Sequence, residues 1–415
     1  MEQVLENIDE PTTSPEAPDK PIDRNLAIRA RTARHWLKKL GFDWEESKKG
    51  VYIDGHERQD VVDYRDNVFL PKFFELLPKM VSWDEDGNMS IPELPNGERP
   101  VVLVTHDESA FNANDGRRRL WIKDGNQPLR PKGKGRGIMV SDFLTPDGRL
   151  AISCPDGSSS FATEYLEYGR DNYWTGDLMI SQLINKAIPI FEAAFPGFQA
   201  CFAFDNSSNH GMFAPDALDA AKMNLNPGGK QPKLRDGFIY SKGCSQSMVF
   251  PEDHPTFPGQ AKGIRQVLIE RGLWRPRLLL ECKNNCTLEG DCCARAILSS
   301  EQDFKLQRGR IQEEVEGRGH ICLFYPKFHC ELNFIEPYWG AAKRYSRNNC
   351  DYSFDGLRKT VPASLASVPR NTIRRFYGQC LRTMEAYRSG LKYGTEEFTQ
   401  RVYKSHRRIE DKDKW

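Results

Sequence analysis

The 415-residue sequence lacks the features of several specialised protein classes. No window approaches the roughly eighteen consecutive apolar residues of a membrane span, so no transmembrane helix is expected. The N-terminus, Met-Glu-Gln-Val-Leu-Glu-Asn, has neither a basic n-region nor an apolar h-region, so we expect no secretory signal. No internal repeat is visible. The net charge of +1 points to no partner by itself.

Charge is instead concentrated locally. Residues 1–20 carry six acidic residues and one lysine, and the acidic stretch to residue 22, rich in Pro, Ser and Thr, is expected to be disordered. Residues 114–136 carry eight basic and two acidic residues. Such a basic stretch is typical of a phosphate-binding surface, and an ordinary solvated loop is the alternative.

Eleven cysteines occur without a signal for an oxidising compartment. We therefore expect reduced thiols or metal ligands, and a cytosolic or nuclear protein. Four of them fall within twelve residues: Cys282, Cys286, Cys292 and Cys293. Four thiols suit a structural Zn²⁺, although adjacent cysteines point apart in regular backbone. Cys244, His254 or His320 could replace one of them, and reduced cysteines that simply pack are the other interpretation.

The pattern of apolar residues predicts an α/β protein of the ribonuclease H-like kind, a mixed sheet flanked by helices. Predicted strands cover Val101–Thr105, Arg119–Ile122, Gly137–Leu144 and Ala200–Phe204, with a helix over 177–194 and a fifth strand at His320–Tyr325. Pro71 is expected to break or kink the helical pattern of 56–80. The predicted segments are a disordered tail 1–22, a helical DNA-binding region 23–83, a catalytic domain 98–352 interrupted by an insertion 211–319, and a helical basic region 353–415.

Three acidic residues are placed where a metal-dependent nuclease needs them. Asp107 follows the first strand, Asp205 ends the fourth, and Glu336 opens a helical pattern in which Pro337 belongs to the first turn. Strand side chains alternate between faces, so Asp107 and Glu108 cannot both line one site, and this reasoning does not choose between them. Turns and helix caps are the alternative explanation for each acid alone.

Three converging carboxylates repel one another unless a cation is present. Two Mg²⁺ or Mn²⁺ ions held by oxygen ligands would remove that conflict and support phosphodiester hydrolysis.

At these residues the sequence resembles the mariner-type DDE transposases, in particular a long fungal form of the DDE-superfamily endonucleases. The resemblance spans about 25–410 and is carried by five segments: Thr105-His-Asp-Glu-Ser-Ala-Phe, Lys132-Gly-Lys-Gly-Arg-Gly-Ile-Met-Val-Ser-Asp-Phe, Phe204-Asp-Asn-Ser-Ser-Asn-His, Tyr325-Pro-Lys-Phe-His-Cys-Glu-Leu-Asn and Leu332-Asn-Phe-Ile-Glu-Pro-Tyr-Trp. It implies Asp107, rather than Glu108, as the first catalytic and metal-binding acid, together with Asp205 and Glu336. It also implies that Asn206 and His210 line the site.

The sequence departs from the family pattern in three places. Phe334 replaces the Pro of the usual Asn-Pro-Ile-Glu, and a Pro follows the Glu instead. The gap between Asp205 and Glu336 is 336 − 205 = 131 positions, far longer than in compact relatives. Family members carry two helix-turn-helix units, but only the end of one is recognisable here, Arg29-Ala-Arg-Thr-Ala-Arg-His-Trp-Leu-Lys-Lys-Leu-Gly-Phe.

Two basic groups are predicted to contact DNA. Arg31, Arg34 and Lys38 would lie near one face of a recognition helix, with a surface helix as the alternative. Near the metals, phosphate would be met by Arg117, Arg118, Arg119, Lys132, Lys134 and Arg136.

The resemblance implies a nuclear transposase that cleaves DNA at transposon terminal repeats and joins the freed 3′-hydroxyl to a target, as a homodimer. A domesticated, catalytically silent DNA-binding protein and a different nuclease on the same fold are the alternatives.

Overall fold

The structure is a computed structural model that describes residues 30–46, 55–117, 119–123, 129–168, 172–207, 210–282 and 291–403. Within them the strands are, in chain order, β1 (Phe42–Glu46), β2 (Ser82–Trp83), β3 (Met89–Ser90), β4 (Val101–Asn112), β5 (Arg119–Lys123), β6 (Gly137–Thr145), β7 (Gly148–Arg149), β8 (Ala151–Ser153), β9 (Ser159–Phe161), β10 (Glu164–Tyr168), β11 (Gln199–Phe204), β12 (Gly237–Ile239), β13 (Cys244–Gln246) and β14 (Ile321–Phe324).

The helices of the same residues are α1 (Ala30–Lys39), α2 (Gln59–Tyr64, Arg65–Phe69 and Leu70–Leu76), α3 (Gly176–Gln182, Leu183–Ala187 and Ile188–Ala194), α4 (Ile264–Arg271), α5 (Ala294–Ser300), α6 (Gln302–Lys305), α7 (Arg310–Gly317), α8 (Ile335–Asn348), α9 (Phe354–Ala366), α10 (Arg370–Arg388) and α11 (Glu396–Val402). Short 3₁₀ turns cover Leu77–Lys79, Ala220–Lys222 and Cys330–Leu332. None of the described helices is both long enough and apolar enough to cross a membrane.

The central sheet has the order β10-β6-β4-β11-β14, with β7 pairing with β6. β6 is antiparallel to β4 and β10, whereas β4, β11 and β14 are parallel. Numbered by their order along the chain, these strands run 3-2-1-4-5 across the sheet. This is the ribonuclease H-like arrangement, and it confirms the predicted fold class.

Helices cover both faces of the sheet, as the buried alternation of strand residues requires. One face packs on α3 and α7 through a core that includes Val102, Val104 and Phe202. The other face packs on α2 and α8–α11 through a core that includes Leu103 and Cys201. The C-terminal helices α9–α11 therefore share one core with the sheet across the boundary predicted at 352/353.

Two strand predictions are wrong. Arg119–Ile122 is extended, but β5 pairs with β1 in a separate two-stranded sheet, and the third central strand is β10 instead. The first strand does not stop at Thr105, because β4 continues to Asn112. Its partner β6 pairs with it from Thr105 onward, and this explains why a segment with polar residues stays extended.

Of the two outcomes expected at Pro71, a break or a kink, the structure does not show a break, because the helix continues past this residue. A π turn at Arg65–Phe69 precedes Pro71, which then occupies the first turn of the next α-helical segment. Pro189 follows a π turn at Leu183–Ala187 in the same way. A π turn locally breaks the regular i→i−4 pattern of hydrogen bonds, so a residue without an N–H is accommodated there.

The insertion has a small core of its own. Twelve buried residues form it, including Leu218, Met248 and Leu298. Helix α7, which was assigned to the insertion, instead packs Ile311 and Val315 into the central domain. The predicted end of the insertion at 319 is therefore wrong, and the inserted segment ends before Arg310.

Candidate active site

Strand β4 carries Asp107 and Glu108 to opposite faces of the sheet, as strand geometry requires. The Asp107 carboxylate accepts a hydrogen bond of 3.0 Å from Nε1 of Trp339 on α8. Glu108 points to the other face, where its Oε1 lies 3.6 Å from Nε2 of His210. Asp107 thus shares a face with Glu336, one helical turn before Trp339.

Asn333 fixes the start of α8 against β4. Its Oδ1 accepts hydrogen bonds from the Thr105 hydroxyl at 2.6 Å and from the Ile335 backbone N–H at 3.2 Å. Its Nδ2 donates to the His106 carbonyl at 3.4 Å. These bonds tie the first turn of α8, and with it Glu336, to the strand that carries Asp107.

Asp205 immediately follows β11, beside β4 in the parallel part of the sheet. Its side chain is 45% exposed, so a ligand can reach it from solvent. Its Oδ1 accepts a hydrogen bond from the Ser207 backbone N–H at 3.2 Å and contacts Nδ1 of the buried His210. Asn206 is half-buried next to it.

The three predicted acids interact electrostatically. Burial raises the pKa of Asp107 well above its usual range, and the charges of Glu336, Glu108 and Asp205 raise it further. Burial and the charge of Asp205 also raise the pKa of Glu336, although Lys343 opposes this. The three acids therefore lie on neighbouring elements, namely β4, the end of the adjacent β11, and α8, and their negative charges interact.

His210 carries a positive charge beside Asp205 and Glu108. Burial lowers its pKa, but the hydrogen bond with Asp205 and the negative charges of Glu108 and Asp205 outweigh burial and raise it to about 10. Neighbouring His106 is fully buried, and burial lowers its pKa to about 4. His210 is therefore a cation between two carboxylates, and it lowers the pKa of Asp205 against the effect of burial.

The acids suit a hard divalent cation. The donor set is all oxygen, the preference of Mg²⁺ and Mn²⁺. The buried Asp107 carboxylate repels two neighbouring acids and gains one hydrogen bond from Trp339, so a cation would lower the energy of its ionised form. Asp107, Asp205 and Glu336 could hold such a metal, as the resemblance implies.

Lys343 adds a positive charge on the same helix. It lies one turn beyond Trp339, with Nζ 5.7 Å from the centre of the Phe111 ring. Burial and Arg347 lower its pKa, while Asp115, Glu336 and Asp107 act in the opposite direction. The charge of Lys343 therefore interacts with Glu336 and Asp107.

The basic stretch emerges from the end of β4. Five residues separate Asp107 from the end of the strand, about 17 Å at a rise of about 3.3 Å per residue. Lys132 and Lys134 are exposed, and the exposed Arg117 donates to the Asn348 carbonyl at the end of α8. Arg136 stacks on Phe354 and pairs with Glu167 at 3.5 Å. Arg118 and the side chain of Arg119 lie outside the described residues.

The helix predicted to read DNA is present as α1. Arg31, Arg34 and Lys38 are exposed, whereas Ala33 and Leu37 are buried. The helix ends at Lys39, and Gly41 follows it with a φ of +79°, a left-handed conformation that favours glycine. Strand β1 follows it directly, a feature that the helical pattern did not reveal.

The sulfur atoms of Cys282, Cys292 and Cys293 all lie within 4.8 Å of one another. The argument that adjacent cysteines point apart holds for regular backbone and does not apply to Cys292 and Cys293, because the chain bends through these residues before α5. Cys286 lies outside the described residues. His320, one suggested substitute, lies directly before β14 beside the central sheet, where its Nδ1 accepts a hydrogen bond from the Ala200 N–H.

Sequence reasoning missed the roles of three residues. Trp339 and Asn333 position acids, and Glu108 takes part through His210 although it cannot join Asp107. A signal existed for Trp339, which lies three residues after Glu336 and so on the same helix face. The roles of Asn333 and Glu108 depend on contacts between segments distant in sequence.

No protein-family model matches the chain, and no curated protein sequence matches it. Solved structures of the Mos1 mariner transposase are similar to it at low identity. The paired end complex with Mn gives a TM-score of 0.43 and 12% identity over 89% of this chain and 73% of that chain. The paired end complex with Mg gives a TM-score of 0.43 and 11% identity over 93% of this chain and 85% of that chain. The Mos1 catalytic domain gives a TM-score of 0.37 and 9% identity over 83% of this chain and 97% of that chain.

Proposed function

We propose that this chain is a DDE-type transposase, a metal-dependent endonuclease that hydrolyses one DNA strand at a transposon end and transfers the freed 3′-hydroxyl to a target. One observation carries the proposal. Asp107 from β4, Asp205 after β11 and Glu336 from α8 share one region of a ribonuclease H-like sheet, where their charges interact.

The residues around the acids divide the work. Trp339 orients Asp107, His210 orients Asp205, and Asn333 orients the helix turn that carries Glu336. Lys343 adds a positive charge beside the acids to attract the scissile phosphate. When bound, two Mg²⁺ or Mn²⁺ ions supply Lewis-acid stabilisation of the phosphate and activation of the attacking hydroxyl.

The DNA is proposed to run from the acids along the basic stretch. Exposed Lys132 and Lys134, together with Arg117, supply phosphate contacts that fix position without reading sequence. Arg136 contributes less, because it already pairs with Glu167. Helix α1 would contact the terminal repeats through Arg31, Arg34 and Lys38. The nuclear location and the homodimer belong to the same proposal.

The experiment is nicking of supercoiled DNA by the full chain with Mg²⁺ and, separately, with Mn²⁺. We expect metal-dependent nicking by the wild type and a loss on the order of a hundredfold or more for Asp205→Asn. The control is Asp86→Asn, which removes the same charge from an exposed turn between β2 and β3 and should keep full activity.

The competing function is a domesticated DNA-binding protein without catalysis. It predicts DNA binding by the wild type without nicking in either metal, or equal nicking by the wild type and Asp205→Asn from a contaminant. Either result would reject the catalytic proposal. Nicking without joining of a pre-cut transposon end to a target would favour the different nuclease.

A further inference from the structure

The cysteine cluster lies in the insertion. The core of the insertion is separate from the two hydrophobic cores that cover the faces of the central sheet. Cys282 lies in the segment between α4 and α5, and Cys292 and Cys293 immediately precede α5. Cys293 is buried, Cys282 half-buried and Cys292 exposed. The three sulfur atoms lie within 4.8 Å of one another although Cys282 and Cys292 are ten positions apart in sequence (292 − 282).

The two segments that carry these cysteines are clamped together by the backbone. The N–H of Ala294 donates to the Leu279 carbonyl at 2.9 Å, and the N–H of Arg295 donates to the Leu280 carbonyl at 3.1 Å. Arg295 also pairs with Glu281, the residue before Cys282. The thiols are thus brought together by main-chain bonds in the folded insertion, as a preformed ligand set requires.

We propose that Cys282, Cys292 and Cys293 bind a structural Zn²⁺ that stabilises the insertion. Thiolates about 2.3 Å from a tetrahedral zinc lie about 3.8 Å apart, which the spacing of these sulfurs allows. Thiolates are soft ligands, so this site selects Zn²⁺, whereas the oxygen donors of the acidic site suit Mg²⁺ or Mn²⁺. A fourth ligand, a further protein side chain or water, completes the zinc shell.

The zinc would add stability to the small core of the insertion. Within the described part of residues 211–309, twelve buried apolar side chains form a core that is separate from the two cores of the central sheet. Metal binding to a site that exists only in the folded state adds directly to folding free energy. A zinc that joins the start of α5 to the segment after α4 fastens the two parts of this core, since Ala294 and Leu298 of α5 pack with Leu268 of α4.

The insertion also connects to the acidic site. It leaves the central domain directly after His210, and it returns where the Arg310 N–H donates to the Met212 carbonyl at 2.8 Å. The segment that holds Asp205 therefore continues into the zinc-stabilised insertion. Loss of zinc should destabilise the protein and loosen this segment without removing a catalytic acid.

The test is metal analysis of the full chain, purified under reducing conditions without added zinc and measured by mass spectrometry. About one zinc per chain is expected for the wild type. Cys282→Ser and Cys292→Ser should each lower the zinc content at least severalfold. Cys244, which the sequence offered as a substitute ligand, is an exposed cysteine of β13 and does not belong to the group of sulfurs within 4.8 Å, so Cys244→Ser should leave the zinc content unchanged.

A second measurement covers the possibility that these variants misfold. Replacement of zinc by Co²⁺ in the wild type should give the intense thiolate-to-cobalt absorption of a tetrahedral sulfur site, which Cys244→Ser retains and Cys292→Ser loses. Wild type without stoichiometric zinc, zinc content unchanged in Cys282→Ser and Cys292→Ser, or a disulfide between two of the three cysteines would each overturn the proposal. Because zinc content is read independently of DNA nicking, these outcomes are separate from failure of the proposed catalytic function.

Discussion

At the scale of single residues, the site depends on how charge is distributed across strand β4. Asp107 and Glu108 are neighbours in sequence, yet their side chains point to opposite faces of the sheet. Asp107 meets Trp339 and the other acids, whereas Glu108 faces the cationic His210. Nε2 of His210 and Oε1 of Glu108 have no hydrogen-bond partner within the described part of the chain, so their attraction is electrostatic rather than a close bond.

Matched substitutions of the two acids test this division. Asp107→Asn removes a proposed metal ligand, so we expect metal-dependent nicking to fall on the order of a hundredfold or more. Glu108→Gln removes the same charge but leaves the three proposed ligands, so a smaller loss is expected. The Mn²⁺ concentration for half-maximal nicking should rise strongly only in Asp107→Asn. Equal losses in both variants would argue against the assignment of Asp107.

At the scale of elements, the site is assembled by the crossing of α8 over β4. Neither element alone brings the acids together, because Asp107 and Glu336 are 229 positions apart (336 − 107). Tyr325 on the segment after β14 donates to the Thr105 hydroxyl at 3.2 Å, and Thr105 in turn donates to Asn333. This buried network of hydrogen bonds fixes where the start of α8 lies along β4.

Asn333→Ala tests the network. It leaves the Thr105 hydroxyl and the Ile335 N–H without their acceptor, a cost of about 1–3 kcal/mol in unfolding free energy. Displacement of the first turn of α8 should also lower nicking at least tenfold, measured at a temperature where the variant is folded. Asn371→Ala, an exposed asparagine on α10, serves as the control. Nicking at the wild-type rate by folded Asn333→Ala would refute the positioning role.

At the scale of the whole molecule, Glu331 joins segments that are distant in sequence. Its Oε1 accepts from His329 at 2.7 Å, from His56 before α2 at 3.2 Å and from Tyr387 of α10 at 2.7 Å. Burial raises the pKa of Glu331, but these hydrogen bonds and the charge of His329 lower it to about 2. The pKa of His56 is raised, because its bonds to Glu331 and Glu57 outweigh burial.

These shifts give a pH dependence of stability. The contribution of Glu331 is present above its unfolded pKa of about 4.5 and is lost as the pH falls toward 2. The contribution of His56 is present below about 6.5 and is lost as the pH rises through its raised pKa. Glu331→Gln should therefore cost on the order of 2–3 kcal/mol between about pH 4.5 and 6.5, and less on either side.

Urea unfolding across pH 3–9 measures this difference, with the exposed Glu93→Gln as the control. A gap between wild type and Glu331→Gln that does not change with pH would show that the pairing is not what stabilises this junction.

The sequence by itself determined most of the framework and the candidate acids. The apolar runs of β4, β6 and β11 and the helix predicted at 177–194 follow from local periodicity. Asp205 and the pair Asp107 and Glu108 follow from where strands end, Glu336 follows from the start of a helical pattern, and the choice of Asp107 came from the resemblance. Local patterns could not show that β5 leaves the central sheet, that β10 belongs to it, or that α7 belongs to the central core. Those facts depend on which segments pair, and pairing is decided by contacts between residues far apart in the chain.

Only the tertiary structure decided which neighbours each acid has. Strand alternation predicts that the side chains of Asp107 and Glu108 point to opposite faces of the sheet. Their partners depend on the positions of α8 on one face and of His210 on the other. The same holds for the cysteines, since a bend and two backbone hydrogen bonds, invisible in the spacing, bring three sulfurs together. Sequence fixes the types of side chains along each element, whereas charge and coordination depend on distances that arise only when the elements pack.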